Sequence, residues 1–317
     1  MIFHEDQCLK SISQGCTHNQ IQKESSFSSL SINKDFAPNT EPVCHNEEPI
    51  SIDANSDEME AANKFHAIGY NYRKQENFDK AIEFYTKALN IMPNLFKVLF
   101  NRGFAYDKKG LYQNAIEDYR KAIDIEPTNP FTYYNLGISN DKYGSIDEAI
   151  SNFTKAISLN NEKADFYHNR GLSYRKLKDY SNAIRDFDSA LLLDGKHYKA
   201  LYNRGYCYEK QVQYEQAEKD YQNCLNLYKG NINTLYHLAR IQEKMGGEKL
   251  KSSIANYTSV IELDNTFAAA YNGRGLVYDK LSMHQNAIED FSKAIQFENS
   301  NAVFWHNRGC CYKNKNE

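Results

Sequence analysis

Several features are scarce in this chain of 317 residues, and each scarcity excludes something. Tryptophan occurs once, against 24 tyrosines and 17 phenylalanines, a mix that suits many small ring-lined cores better than one thick aliphatic core. Net charge is close to nil, at −3 with 25% charged residues. Bulk attraction to nucleic acid or to a strongly charged partner is therefore not expected. Cysteine pairing is missing as well. The seven cysteines, Cys8, Cys16, Cys44, Cys207, Cys224, Cys310 and Cys311, are odd in number and irregularly spaced, which gives no disulfide framework and suits a reducing compartment. The opening MIFHEDQCLK carries acids where a secretory leader needs base followed by an apolar run. No stretch approaches the length of a membrane span. These absences lead us to expect a soluble, cytoplasmic protein with no membrane contact.

Enzyme signatures are absent too: there is no H-E-x-x-H, no P-loop and no G-x-S-x-G. Gly273 and Gly275 lie inside a helical pattern and make no dinucleotide loop. We expect no catalytic residue, no cofactor and no metal. Residues 1–58 are rich in Ser, Asn, Gln and Glu, hold Pro38, Pro42 and Pro49, and show no helical or strand period. The expectation there is a disordered polar tail, with too little apolar surface to offset chain entropy. Its Cys8, Cys16, His18, Cys44 and His45 lack a C-x2-C half-site and read as scattered side chains rather than zinc ligands.

What is present, from Ala62 onward, is a period. Gly69, Gly103, Gly137, Gly171 and Gly205 recur at steps of 34, Ala239 takes the sixth place, and Gly275 and Gly309 follow after one step of 36 and one of 34. Each lies in the same setting. A bulky apolar residue stands four places before it, an aromatic three after it, then an alanine and a second aromatic; repeat two reads Leu99, Gly103, Tyr106, Ala115, Tyr119, Ala122, Pro127. Positions 4, 8 and 11 of the unit share one helical stripe, and 20, 24 and 27 share another. That is a helix hairpin in which small residues allow close approach and rings fill the gap. Gly110, Gly144 and Gly246–Gly247 punctuate the turn, and Asn77, Ser145 and Asp179 stand where caps of the second helix belong. Neither helix can bury its face alone, so the hairpins must stack.

Over residues 62–317 this pattern, W-x2-L-G-x2-Y…A-x3-F…A, resembles the tetratricopeptide repeat (TPR) family. The resemblance implies an all-α, right-handed superhelix with a concave groove. It comprises repeats at 62–95, 96–129, 130–163, 164–197, 198–231, 232–267 and 268–301, and the first helix of an eighth at 302–317. The unit-end proline appears only as Pro93 and Pro127, so later turns between units are expected to be looser.

At the seventh unit position, where the family usually has Leu, stand Arg102, Arg170, Arg204, Arg274 and Arg308. Position 23 carries Asp118, Asp186, Asp220 and Asp290, while the repeats without Arg (Ile68, Leu136, Leu238) have Phe84, Asn152 and Asn256 there. The coincidence predicts a partly buried Arg–Asp bridge between the two helices of one unit; the bland alternative is an exposed Arg beside an unrelated Asp. Arg308 has no Asp to follow it. Either the polypeptide continues past Glu317, or a lone helix caps the stack; the interior pattern of VFWHNRGCCY favours continuation.

Positions 2, 6, 9 and 13 of the first helix form the stripe that the family turns to its groove. The sixth is Asn101, Asn135, Asn169, Asn203 and Asn307; the thirteenth includes Lys108, Lys142, Lys176, Lys210 and Lys244; the ninth offers rings such as Phe104 and Tyr206. Asparagine amides can pair with an extended peptide backbone, and the ladder is similar to those of kinesin light chains and protein O-GlcNAc transferases. Asn and Lys at these places are also common in the family at large. The carboxylate clamp for chaperone tails is not expected, because His66, Tyr70 and Phe131 stand where it needs other residues. His66, His168 and His306 share the fifth position, and unit-length separation makes them packed or solvated rather than joint ligands. The expected function is a non-enzymatic scaffold that binds extended segments of partner proteins, possessing acidic and apolar side chains. The alternative is the substrate-recruiting half of a larger enzyme, such as a protein O-glycosyltransferase, with its catalytic domain beyond residue 317.

Overall fold

The computed structural model describes residues 56–316. The expected tail lies outside the described residues as far as residue 55, and Ser56–Glu58, which the sequence assigns to it, already belong to a helix. The described residues form fifteen α-helices and no strand. They alternate as hairpins: α1 Ser56–Lys74 and α2 Phe78–Ile91, α3 Phe96–Lys108 and α4 Tyr112–Ile125, α5 Pro130–Tyr143 and α6 Ile146–Leu159. Next come α7 Ala164–Lys176 and α8 Tyr180–Leu193, α9 Tyr198–Lys210 and α10 Tyr214–Leu227, α11 Ile232–Met245 and α12 Lys249–Leu263. The last are α13 Ala268–Lys280 and α14 His284–Phe297, followed by α15 Ala302–Asn316. Each helix packs on its neighbours in sequence, and beyond these only the first helices of adjacent hairpins touch. No described helix is long and apolar enough to cross a membrane.

The small residue at the eighth unit position sets how close the two helices lie. A Cβ built on Gly137 would stand 2.7 Å from the ring of Phe153, and one on Gly171 2.8 Å from Phe187. Both rings are buried, so they have nowhere to retreat. Repeat six departs from this and shows why the rule holds. Ala239 occupies the glycine place, and the ring of Tyr257 lies instead against Gly273 of the next unit, where a Cβ would meet it at 2.4 Å. That accounts for the missing asparagine at the sixth position of repeat seven: a side chain there would collide with Tyr257.

Every turn inside a hairpin carries at least one residue of positive φ, and the Gly246–Gly247 turn carries two. Gly110, Gly144 and Gly246 supply it in three hairpins, and Glu76, Lys178, Val212 and Ser282 adopt φ of 56° to 62° in the others. Asn77 and Asp179 cap their helices by accepting from the backbone N–H of Lys80 and Asn182, at 3.3 and 3.1 Å. Ser145 stands at the same place without a side-chain cap bond. The core is a chain of small clusters shared between adjoining hairpins, such as Ala62, Tyr85, Leu99 and Ala122 at one end and Ala287, Phe291 and Cys311 at the other.

Candidate functional site

Two polar networks hold neighbouring units together, one on each side of the core. The first is built on the arginines of the seventh unit position. Arg170 on α7 donates from Nε and Nη2 to both oxygens of Asp186 on α8, at 2.8 and 2.7 Å. Arg102 with Asp118, Arg204 with Asp220 and Arg274 with Asp290 repeat this fork at 2.6 to 2.9 Å. The carboxylates are buried and the guanidinium side chains only 15 to 21% exposed. Burial lifts the Asp186 and Asp220 carboxyls despite their partners, so desolvation offsets much of the attraction.

Each arginine also has a third arm, which sequence reasoning missed. Nη1 reaches back to the second helix of the preceding unit, at unit position 25: Arg102 to Thr86 at 3.1 Å, Arg170 to Thr154 at 3.0 Å, Arg204 to Asp188 at 2.6 Å and Arg274 to Thr258 at 2.9 Å. The signal was present in the chain. Position 25 is Thr, Asp or Ser wherever an arginine follows, and Arg120 or Gln222 where Leu136 or Leu238 follows. Arg308 keeps this arm, to Ser292 at 3.1 Å, and lies over the Trp305 ring at 4.8 Å; among the described residues no carboxylate faces it. Trp305 and Tyr312 on the same helix are half exposed, and a Cβ on Gly309 would meet nothing within 4 Å.

The second network is the asparagine stripe. The amide of Asn101 pairs with His66 Nε2 at 3.0 Å, Asn203 with His168 Nε2 at 3.3 Å, and Asn169 donates to the Tyr134 hydroxyl at 2.9 Å. Asn307 donates to Asn272 Oδ1 at 2.9 Å. Every partner is the fifth residue of the preceding unit. Asn169 and Asn203 also donate to their own helix, at the carbonyls of Asp165 and Lys199, 2.9 and 2.8 Å. Both amide hydrogens are thus engaged, and what such a side chain can offer a ligand is its Oδ1 acceptor. Asn101 and Asn203 are buried; Asn135, Asn169 and Asn307 are partly open. Among the described residues Asn135 alone of the five makes no side-chain hydrogen bond, because the fifth residue of the preceding unit is Phe100. Burial drives the pKa of His168 well below its ordinary value and lowers that of His66, so both pair as neutral imidazoles. His306 instead meets Cys310 Sγ at 3.4 Å.

The lysines divide by partner. Lys108 lies over Phe104 at 5.2 Å, Lys210 over Tyr206 at 5.1 Å, Lys142 over Tyr112 at 5.6 Å and Lys244 over Tyr214 at 5.8 Å. Lys176 instead binds Asp141 of the preceding unit, as Lys280 binds Glu243. Glu209 is buried among Arg240, His237 and Tyr221. Burial penalises its charge, yet His237 and Arg240 outweigh that and hold the carboxyl well below the usual range. Asp107 is buried too, and desolvation pushes its pKa up to about 6. Beside it Lys108 is held below its ordinary value, by burial first and then by Lys142. The second and third units therefore present two clustered lysines on a ring-lined stripe, beside the buried Asp107.

Sequence profiles described as Tetratricopeptide repeat match residues 96–129, 164–197 and 268–301, and 132–163 and 198–231; one described as TPR repeat matches 69–110. No curated protein matches the chain. Among solved structures, the MamA protein is 28% identical with a TM-score of 0.51, over 55% of this chain and 96% of that one. YrrB, described as a TPR protein with an unusual peptide-binding site, is 21% identical with a TM-score of 0.56, over 61% and 99%. A tetratricopeptide repeat protein from Parabacteroides merdae is 20% identical with a TM-score of 0.58, over 80% and 99%.

Proposed function

Because the chain belongs to the tetratricopeptide repeat family, we propose that its first-helix stripe binds an extended segment of a partner protein, and that the array is a non-enzymatic scaffold. One observation carries the reading. At Asn101, Asn135, Asn169 and Asn203 the ladder recurs at unit spacing, with amide hydrogens turned into the protein wherever the preceding unit supplies an acceptor. Amide oxygens so oriented receive peptide N–H groups, while Asn135 can both donate and accept. Lys108 and Lys142 favour a ligand with acidic side chains at that end, and Phe104 and Tyr206 offer apolar seats. The peptide-binding site named for YrrB lends support by analogy of fold.

The test is direct. An array of extended 12-residue peptides with paired acids and one large apolar residue, about that length being needed to cross three units, is screened against the full chain by fluorescence polarisation. Lys108→Glu with Lys142→Glu should weaken the binders tenfold or more, and Asn135→Ala should weaken them without lowering thermal stability. Binders indifferent to all three substitutions would place recognition elsewhere.

A further inference from the structure

The joint between α13, α14 and α15 differs from the joints before it in its chemistry, not its geometry. At two earlier joints the tenth residue of one unit is hydrogen-bonded to the twelfth of the unit before: Ser139 Oγ donates to Asp107 at 2.9 Å, and Ser173 Oγ to Asp141 at 2.9 Å. The first residue of the intervening second helix is Tyr112 in one and Ile146 in the other. At the last joint the acid is kept as Asp279, and both neighbours change. Cys311 stands in the serine place and His284 in the place of the tyrosine.

The three side chains converge. His284 Nδ1 lies 2.9 Å from Asp279 Oδ1 and 3.9 Å from Cys311 Sγ, and all three donor atoms fall within 4.8 Å of one another. Tetrahedral zinc bound by sulfur, nitrogen and oxygen sets its donors about 3.3 to 3.7 Å apart, so the His284–Asp279 and His284–Cys311 sides need shifts of about half an ångström or less. The thiol is fully buried, and the acid and imidazole are partly open, which leaves a water-accessible fourth position. Asn314 Nδ2 donates to the other oxygen of Asp279 at 3.3 Å and fixes the carboxylate from behind.

We propose that Asp279, His284 and Cys311 form a binding site for zinc or a similar borderline transition-metal ion, with water as the fourth ligand. The donor set excludes calcium and magnesium, which take oxygen ligands. On binding, Cys311 loses its thiol proton to solvent and bonds the metal as thiolate. His284 binds through Nδ1 and carries its proton on Nε2, and Asp279 exchanges its hydrogen bond for a metal bond. Because the ligands come from three helices, the ion pins α15 onto the hairpin before it. Sequence reasoning did not assemble this set, since its members are separated by five and by 27 residues, and only the stacking of units brings them together.

The chain contains its own controls. Cys207 occupies the same tenth position, is equally buried, and has Arg175 and Tyr180 near it instead of ligands. Serine at that position is tolerated, as Ser139 and Ser173 show, so Cys311→Ser should fold. The full-length chain, reduced and stripped with chelator, is titrated with cobalt(II) and followed by the near-ultraviolet thiolate-to-cobalt absorption, then melted with and without zinc. The expected result is a band saturating at one equivalent and a zinc-dependent rise in Tm. Both should be lost in Cys311→Ser, weakened at least tenfold in His284→Tyr, and kept in Cys207→Ser and Cys310→Ser. Absence of the band overturns the proposal. So does a band that survives Cys311→Ser, or one lost in Cys310→Ser, which would place the ion on the exposed His306–Cys310 pair or on the cysteines before residue 56.

Discussion

Replacing Arg170 with leucine tests what the clasp is worth, because repeat three already contains the alternative. There Leu136 and Asn152 stand where repeat four has Arg170 and Asp186, and Asn152 donates to the Glu148 carbonyl at 2.7 Å instead. In Arg170→Leu the carboxylate of Asp186, only 6% exposed, loses both forked bonds. A stranded buried charge of this kind costs about 3–5 kcal/mol. The Thr154 hydroxyl loses a partner as well, but it also donates to the Ile150 carbonyl at 2.8 Å and so adds little. Asp186→Asn alone leaves Arg170 charged and 18% exposed; its long stem can swing toward water, and we expect a cost of about 1–2 kcal/mol. The double variant removes both charges and should come within about 1–2 kcal/mol of the parent, since a buried pair and its well-packed apolar substitute are often of similar stability.

Chemical denaturation of the four proteins gives a coupling energy expected to exceed about 2 kcal/mol, against at most about 1 for an exposed pair. A second readout separates charge from packing. Burial already raises the Asp186 carboxyl in the parent. Removing Arg170 raises it further, so the folded variant takes up a proton that the unfolded chain does not yet hold. A group whose pKa is raised by folding gives stability that is present at low pH and lost as pH rises. The Arg170→Leu penalty should therefore shrink as pH falls toward the carboxylate range. Additive effects at every pH would refute the reasoning and reduce the clasp to surface decoration.

The glycine rule gives a matched pair. Gly137→Ala should cost about 1–3 kcal/mol by forcing a methyl into the Phe153 ring, whereas Gly309→Ala, with open space around it, should gain about 0.5–1 kcal/mol from helix propensity; equal effects would sink it. Val212 holds φ of 62° with a β-branched, exposed side chain, so Val212→Gly should raise stability by about 1 kcal/mol, and a loss would show that the turn is not strained. Acid should weaken the array below about pH 6.5. Burial lowers the His168 pKa in the folded state, so its contribution is whole above the ordinary imidazole value and is lost as pH falls through it. His197, Asp165, Lys199 and Arg175 surround that ring, and Asp107, raised by burial to about 6, acts in the opposite sense. Melting His168→Gln across pH 5 to 8 should therefore give a flatter profile than the parent, and an unchanged slope would assign the acid sensitivity to other groups.

The hairpins, their stacking and the ring-against-glycine contact were legible because each depends on one residue type recurring at one position. The arginine forks were legible for the same reason. The third arm was not, because its acceptor changes identity among Thr86, Thr154, Asp188, Thr258 and Ser292; a hydrogen bond asks for an acceptor rather than a letter. The asparagine ladder was visible as letters, but its partners inside the protein were not. Its partners are a histidine, a tyrosine, another histidine and an asparagine, so nothing in the spacing shows that most of the amide hydrogens are already engaged. Nor does the spacing show why repeat seven lacks an asparagine there: the Tyr257 ring fills the place.

These two networks join units in different directions, and that decides what each can do. An arginine fork ties the helices of one unit together while its third arm takes hold of the preceding second helix, so three helices are fixed by one planar group. The asparagine bonds tie first helix to first helix, on the face proposed for ligand. Both are missing where repeat three meets repeat two: Leu136 has no fork, Arg120 occupies the acceptor place, and Asn135 faces Phe100. That joint is held by apolar contact among Phe100, Tyr119 and Leu136, and by the Ser139–Asp107 bond. Apolar contact is strong but tolerates small rotations, whereas forked bonds admit one geometry. The joint that lacks both networks is also the one where Asn135 has no side-chain hydrogen bond among the described residues and Lys108 and Lys142 cluster. If the proposed ligand binds there, it would adjust the angle between units, and its amide contacts would replace the ladder rung that Phe100 leaves unmade.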